Sequence, residues 1–333
     1  NMGTLQQSAG DLILVTNGNG AATVVNNAAI DFGTSNVGGA LDVTASAGTI
    51  TQNGGALTVA GTSAFTTSTN DQAITLSNTT NALTGAVAFT TGGTTGNVVI
   101  DNGTTGLDLA ASTISGTLTA TGGASAGIVD SGNVAVAGNV TLTTDAGNGV
   151  INMGTLQQSA GDLILVTNGT GAATVVNNAG IDFGTSNVGG ALSATASAGN
   201  ITQNGGAITV AGTSSFILGA NSANVVLDHA SNAFSGAVTL LAGAGGSQAF
   251  GNVTFVDDSA VKIDANADAA GDLYLNAGTD GAVGGNLAVT ATTGNITQGV
   301  AVAVTGTSAF TTSASDATIT LGTTTNALGG TVA

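Results

Sequence analysis

GALDVTASAGTITQNGGALTVAG, residues 39–61, holds two short strands and the turn between them. In ALDVTA (40–45) and ALTVAG (56–61), larger apolar residues alternate with small or polar ones. Alternation at period two sends one set of side chains inward and the other outward. Val, Thr and Ile suit such a surface. The intervening NGG (53–55) supplies Asn and Gly, which tolerate the positive φ of a turn.

The same alternation returns in AVAFTT (86–91), TLTAT (117–121), NVTLTT (139–144) and DLYLNAG (272–278). NGNG (17–20), DAGNG (145–149) and AGAGG (242–246) punctuate it. No segment carries an apolar stripe at helical spacing. Glu and Arg, both good helix formers, are absent, and Lys occurs once.

The repetition has several levels. NMGTLQQSAGDLILVTNG fills positions 1–18 and returns unchanged at 152–169, and residues 1–65 match 152–216 with few changes. A second relation links 49–88 with 295–333. Beneath both runs a shorter motif, G-x-L-x-V or a close variant, starting near 39, 55, 85, 116, 138 and 161. Its mean spacing, about 22 residues, lies in the solenoid range. A coil of that size cannot close a core alone, but stacked coils bury a continuous one.

The expected fold is therefore all-β: a parallel β-helix, or β-solenoid, of about 15 rungs of roughly 22 residues. The expected organisation is one continuous segment over 1–333, with long-repeat blocks 1–151 and 152–302 and a partial further repeat at 303–333. The competing fold is a string of immunoglobulin-like sandwiches. It calls for repeats of roughly 90 to 100 residues, a buried Trp and loop prolines. This chain has no Trp, no Pro and one Tyr. Proline would remove a ladder donor from nearly every strand of a solenoid.

Composition excludes several classes of function. Formal net charge is −17, with Lys262 the only Lys or Arg and all 18 acidic residues Asp. No basic patch exists to neutralise phosphates, so no nucleic-acid partner is expected. Docking on anionic lipid is disfavoured for the same reason. With no Cys there is neither a disulfide framework nor a thiolate metal site. No apolar run approaches the roughly 18–20 residues of a membrane span, so no membrane insertion is expected. Positions 1–20 lack the features of a signal peptide. Asn1 begins in mid-pattern, as a segment of a longer chain would.

GNITQNGGAITVAGTSSF (199–216), GDLYLNAG (271–278) and SNAFSGAVTL (231–240) resemble the repeat region of filamentous-haemagglutinin-type large exoproteins. The resemblance spans nearly the whole chain. It implies a right-handed parallel β-helix, export by the two-partner route and service as the stalk of a bacterial surface adhesin.

Few residues invite a chemical role. Asp264, Asn266, Asp268 and Asp272 match positions 1, 3, 5 and 9 of a calcium-binding EF-hand loop. The match fails at position 6, Ala269 in place of Gly, and at position 12, Leu275 in place of Glu. A turn with solvated Asp side chains is the expectation. His229 follows Asp228, but no strained nucleophile elbow accompanies them. An isopeptide bond from Lys262 would link only one place in the rod. Thr-x-Thr in TLTAT and TLTT hints at an ice-binding face, yet the spacing wanders and adjacent coils are not expected to repeat it. Polysaccharide lyases also use parallel β-helices, but their chemistry needs carboxylates with Arg or Lys to stabilise a developing anion. No catalytic, cofactor-binding or metal residue is expected, and no cofactor.

The expected function is structural and not enzymatic: the shaft of an extracellular adhesin or filament at the bacterial cell surface. The alternative is a subunit that polymerises end to end into a fibre or sheath. Expected partners are other copies of itself, or a host or neighbouring-cell surface.

Overall fold

A computed structural model describes residues 2–123, 126–145, 147–243, 248–276 and 282–333, and only the backbone of residues 2–4. Ala146 of the DAGNG turn, residues 244–246 of AGAGG and 277–278 of DLYLNAG lie outside the described residues. The fold is an all-β parallel β-solenoid of about 13 turns of about 22 residues, rather than 15. The shortfall arises because some corners are long, and one insertion uses residues without adding a whole turn. The chain divides into two compact units, residues 1–161 with Val166–Gly171, and 162–165 with Ala172–Ala333.

Two kinds of arm alternate in the first unit. Unbent arms Ala22–Asn26, Leu41–Ala45, Ser63–Asn70 and Val87–Gly92 stack in one sheet. The arms between them bend midway at a polar turn. These are Ile30–Val37, Ile50–Val59, and Ile74–Leu76 with Ala82–Leu83, and they stack in the second sheet. The roles then exchange. Val98–Asp101 is unbent and pairs with Ile74–Leu76 in the second sheet. Bent arms Leu107–Leu109 with Ser112–Ile114, Ile128–Asp130 with Val134–Val136, and Ile151–Gln158 continue the first sheet.

The exchange has a simple cause. Val87–Gly92 and Val98–Asp101 are two unbent arms in succession, so the bent side changes sheet there. From Ala22 to Val98 the chain makes seven arms, which is three and a half turns.

The second unit repeats the scheme by itself. Unbent arms Ala173–Asn177, Leu192–Ala196, Ser214–Leu218 and Val238–Ala242 form one sheet. Bent arms from Ile181–Phe183 to Ala233–Phe234 form the other. Val253–Asp257 then enters the bent side, followed by Leu287–Ala291 and Ser308–Thr312. The second halves of the last bent arms, Ala282–Val283, Ala303–Val304 and Ala327–Leu328, make a small sheet of their own.

Inward residues stack on their equivalents one turn away. Ile30, Ile50, Ile74, Val98, Leu118 and Val140 form one such column, all buried. Phe65 lies between Phe32 and Phe89, with ring centroids 6.3 and 5.9 Å away. In the second unit Phe183, Phe216, Phe234 and Phe255 follow one another at 5.9, 5.9 and 5.4 Å.

The glycine of G-x-L-x-V occupies two kinds of corner, which is why its spacing looked irregular. Gly39, Gly61 and Gly85 each stand two residues before an unbent arm and stack on one another. Gly61 N–H donates to Gly39 O at 3.0 Å, and a Cβ on Gly61 would lie 2.6 Å from the Gly39 carbonyl carbon. Gly55 instead sits in the bend of a bent arm, at φ 134°. Backbone meets backbone in the first column, so a side chain forces the rungs apart. Gly61→Ala is expected to cost about 2 kcal/mol. Gly147→Ala, where nothing lies within 4 Å of the new Cβ, is expected to be near neutral. Equal melting of the two variants would refute the stacked corner.

A second corner column is built from asparagine. Asn200, Asn224, Asn252 and Asn286 each accept, through Oδ1, the backbone N–H of the equivalent residue one turn on. The last bond reaches Thr307, and the distances are 2.8, 2.6, 2.9 and 2.8 Å. Asn side chains thus bond along the axis to backbone rather than to one another's amides.

Candidate functional site

The Asp-rich stretch proves to be an insertion. At the first bend of each earlier group of arms the chain spends two residues: 33–34 as a β irregularity, then 110–111 and 184–185. At the corresponding bend after Val261–Asp264 it spends 265–281 before resuming at Ala282–Val283. Part of that insertion, Asp272–Asn276, is a strand lying between Val238–Ala242 and Val261–Asp264, with Leu273 and Leu275 buried. The EF-hand-like residues are therefore divided between a strand, a turn and a second strand, not held on one loop.

Their carboxylates are already engaged. Lys262 contacts Asp264 directly and lies 3.8 Å from Asp272. Asp272 Oδ2 accepts the N–H groups of Ala269 at 2.8 Å and Asp268 at 3.3 Å. Asn266 donates to Asp268 at 2.9 Å. The hydrogen bond from Lys262, then that from the Ala265 N–H, holds the Asp264 carboxyl below its ordinary range. The bond to Asp264 holds the Lys262 ammonium above its ordinary range. Among the described residues, no group of three or more His, Cys, Asp or Glu is placed to hold a metal ion.

His229 forms a turn. Its Nδ1 accepts the Ser231 N–H at 3.1 Å. Asn78, 151 residues earlier, does the same for Thr80 N–H through Oδ1, at 2.9 Å. The imidazole thus stands in for an asparagine side chain that closes a tight turn. With Gln203, Asn204 and Asp228 it lines a shallow polar groove. A second concave strip, over Val283, Val304 and Leu328, is lined by Ala, Val, Leu, Gly and one Thr, with no titratable group. The Thr-x-Thr pattern does recur on adjacent rungs, contrary to expectation: Thr119 and Thr121 pair in register with Thr141 and Thr143. The rung before them carries Val99 and Asp101, which breaks the array.

The most elaborate polar chemistry is internal, and reading the residues did not find it. Gln52 and Asn81 exchange amide hydrogen bonds of 2.6 and 2.9 Å inside the bend. Asn81 Oδ1 also accepts the Leu57 N–H at 2.8 Å. Gln203 with Asn232 repeats the arrangement at 2.6 and 2.9 Å, and Gln298 with Asn326 repeats it again. The available signal was the recurrence of ITQ with a later NAL or NAF.

A second buried polar position closes the opening strand of each group of arms. Asn26, Asn177 and Asp257 end equivalent strands, Asn102 stands one residue past the end of its own, and all four are at most 2% exposed. Asn102 shows its use. Oδ1 accepts the Leu83 N–H at 2.8 Å, and Nδ2 donates to Leu83 O at 3.0 Å and Gly106 O at 2.8 Å. Asp257 keeps the accepting half, taking the Phe234 N–H at 3.0 Å, and has no amide to donate. Burial raises its carboxyl above the ordinary range, against the lowering effect of the Phe234 N–H.

The folded state then binds a proton more tightly than the unfolded chain does. Stability contributed by the neutral form is present at low pH and is lost as pH rises from the ordinary Asp range through the raised value. Asp257→Asn is expected to stabilise the second unit at pH 7, with the gain shrinking as pH falls through that window. Melting of both proteins across the acid range checks this. A gain that grows on acidification would contradict it.

Comparison with curated proteins and with solved structures returned no match. A family model matches the chain four times, at residues 18–90, 95–167, 170–241 and 251–333. The second, third and fourth matches begin where one unbent arm follows another, and the first three each run through seven arms. Covered over most of its length by these four copies, the chain belongs to the family of repeats of unknown function DUF5649.

Proposed function

We propose that the chain is a structural spacer, part of the shaft of an extracellular bacterial adhesin or filament, and that it carries out no catalysis. The observation that carries this reading is how its bonding is spent. Rung is tied to rung by backbone ladders, Gln–Asn pairs and corner Asn columns, all directed along the stacking axis. Such an object resists extension and proteolysis because each rung is protected by its neighbours. The near absence of basic side chains supports a non-enzymatic role, since an anionic transition state would find only Lys262, already engaged by Asp264. The acidic coat favours copies that do not stick side by side at low salt. Its partners are then other copies of itself or a neighbouring cell surface.

Antibodies raised against the chain test the location on producing cells. Labelling of intact cells is expected; labelling only after permeabilisation would contradict an external shaft. A glycan-cleavage screen with the purified chain tests the enzymatic alternative, and release of product would displace the spacer reading.

A further inference from the structure

The seven-arm repeat has an odd number of half turns. In the first unit the strand that opens one repeat, Ala22–Asn26, lies in one sheet, and its equivalent in the next, Val98–Asp101, lies in the other. The second unit shows the same exchange between Ala173–Asn177 and Val253–Asp257. Equivalent sequences therefore fold equally well in either sheet. We infer that the seven-arm repeat is a length module: a whole repeat can be removed or added with the core closing across the junction, and each such change moves every later strand to the opposite sheet. One repeat adds about 17 Å, three and a half steps of about 4.8 Å. A surface feature beyond the junction would then face the other side, whereas two repeats preserve its side. The inference draws on the spacer reading only for its use; its geometry stands without it.

The junction chemistry makes the inference specific. Removing residues 98–172 joins Asn97 to Ala173. Ala173 then faces Ile74, Val175 faces Leu76, and Asn177 arrives where Asn102 bonded the Leu83 N–H and carbonyl. The residues that Asn177 must serve are those that Asn102 serves in the parent, and Asn177 itself already donates to Gly180 O at 2.7 Å as Asn102 does to Gly106 O.

The test uses the full chain, the 98–172 deletion, and a second variant in which 98–172 is duplicated in tandem. Both are expected to melt cooperatively with parent-like β circular dichroism, and the Leu83 amide of the deletion variant is expected to keep its slow hydrogen exchange. Asn177→Leu in the deletion variant is expected to speed that exchange at least tenfold. Unfolding of both variants, fast exchange at Leu83, or indifference to Asn177→Leu would overturn the inference. None of these outcomes bears on where the protein is located, so a failed module leaves the spacer reading to its own test.

Discussion

Asn81→Leu is expected to destabilise the first unit by about 4 kcal/mol, although leucine keeps the branching of the asparagine side chain. Asn81 is 2% exposed and sits at the centre of five hydrogen bonds. Its Oδ1 receives the Gln52 amide and the Leu57 N–H; its Nδ2 serves Gln52 Oε1 and the carbonyls of Leu76 and Asp101. Leucine leaves the Leu57 N–H and the Gln52 amide buried without this partner. Each orphaned group costs about 1–3 kcal/mol. The loss should be local first, because a solenoid rung depends on its neighbours. Hydrogen exchange at Leu57 and Leu83 is therefore the sharpest readout, with denaturant titration for the total. A double variant, Gln52→Leu with Asn81→Leu, should recover part of the loss, since removing both partners leaves fewer unpaired groups. A loss below about 1 kcal/mol for Asn81→Leu would show that the pair is dispensable.

Phe216→Ala is expected to cost about 3–5 kcal/mol in the second unit. The ring is fully buried and stands edge-on to both Phe183 and Phe234, each 5.9 Å away. Its loss leaves a void between the two sheets that the parallel ladder holds open, because the backbone pairs Ala194, Phe216 and Leu240 in fixed register. Phe310→Ala should cost less, since Phe310 is 6% exposed and no neighbouring ring is within stacking distance among the described residues. Urea titration of both variants checks the order. A smaller loss at Phe216 than at Phe310 would mean the rings do not form the cluster described.

Much of this fold was legible in the residues. Alternation in ALDVTA and ALTVAG is realised in Leu41–Ala45 and in the second half of Ile50–Val59, with Leu41, Val43, Leu57 and Val59 inward. The repeated string at 152–169 became the strands Ile151–Gln158 and Leu163–Val166, joined by a turn, as its pattern implied. The exchange of bent and unbent arms was not legible. Both kinds of arm use the same period-two code, and only the succession of two unbent arms at 87–101 marks the change.

The buried amides were hidden for a different reason. Gln52 and Asn81 lie 29 positions apart, in stretches that composition reads as solvated turn. What draws them inside is the unpaired backbone of the bend, such as the Leu57 N–H, which exists only once the rung has formed. The Asp-rich segment misled in the opposite sense. Its carboxylates suggested no more than a solvated turn, while its Leu273 and Leu275 were the residues that decided its place, as an added strand in a sheet.

The central claim is that successive turns stack rung on rung in parallel register. In the first unit Val25, Thr44, Thr66, Thr90, Thr113, Ala135 and Gln157 are successive partners, so Val25 and Gln157 stand six steps apart. Spin labels at these two positions, read by pulsed dipolar spectroscopy, give that distance directly. Six steps of about 4.8 Å predict a narrow distribution centred near 29 Å. A broad distribution, or a narrow one displaced by more than about two rungs, would contradict the stack.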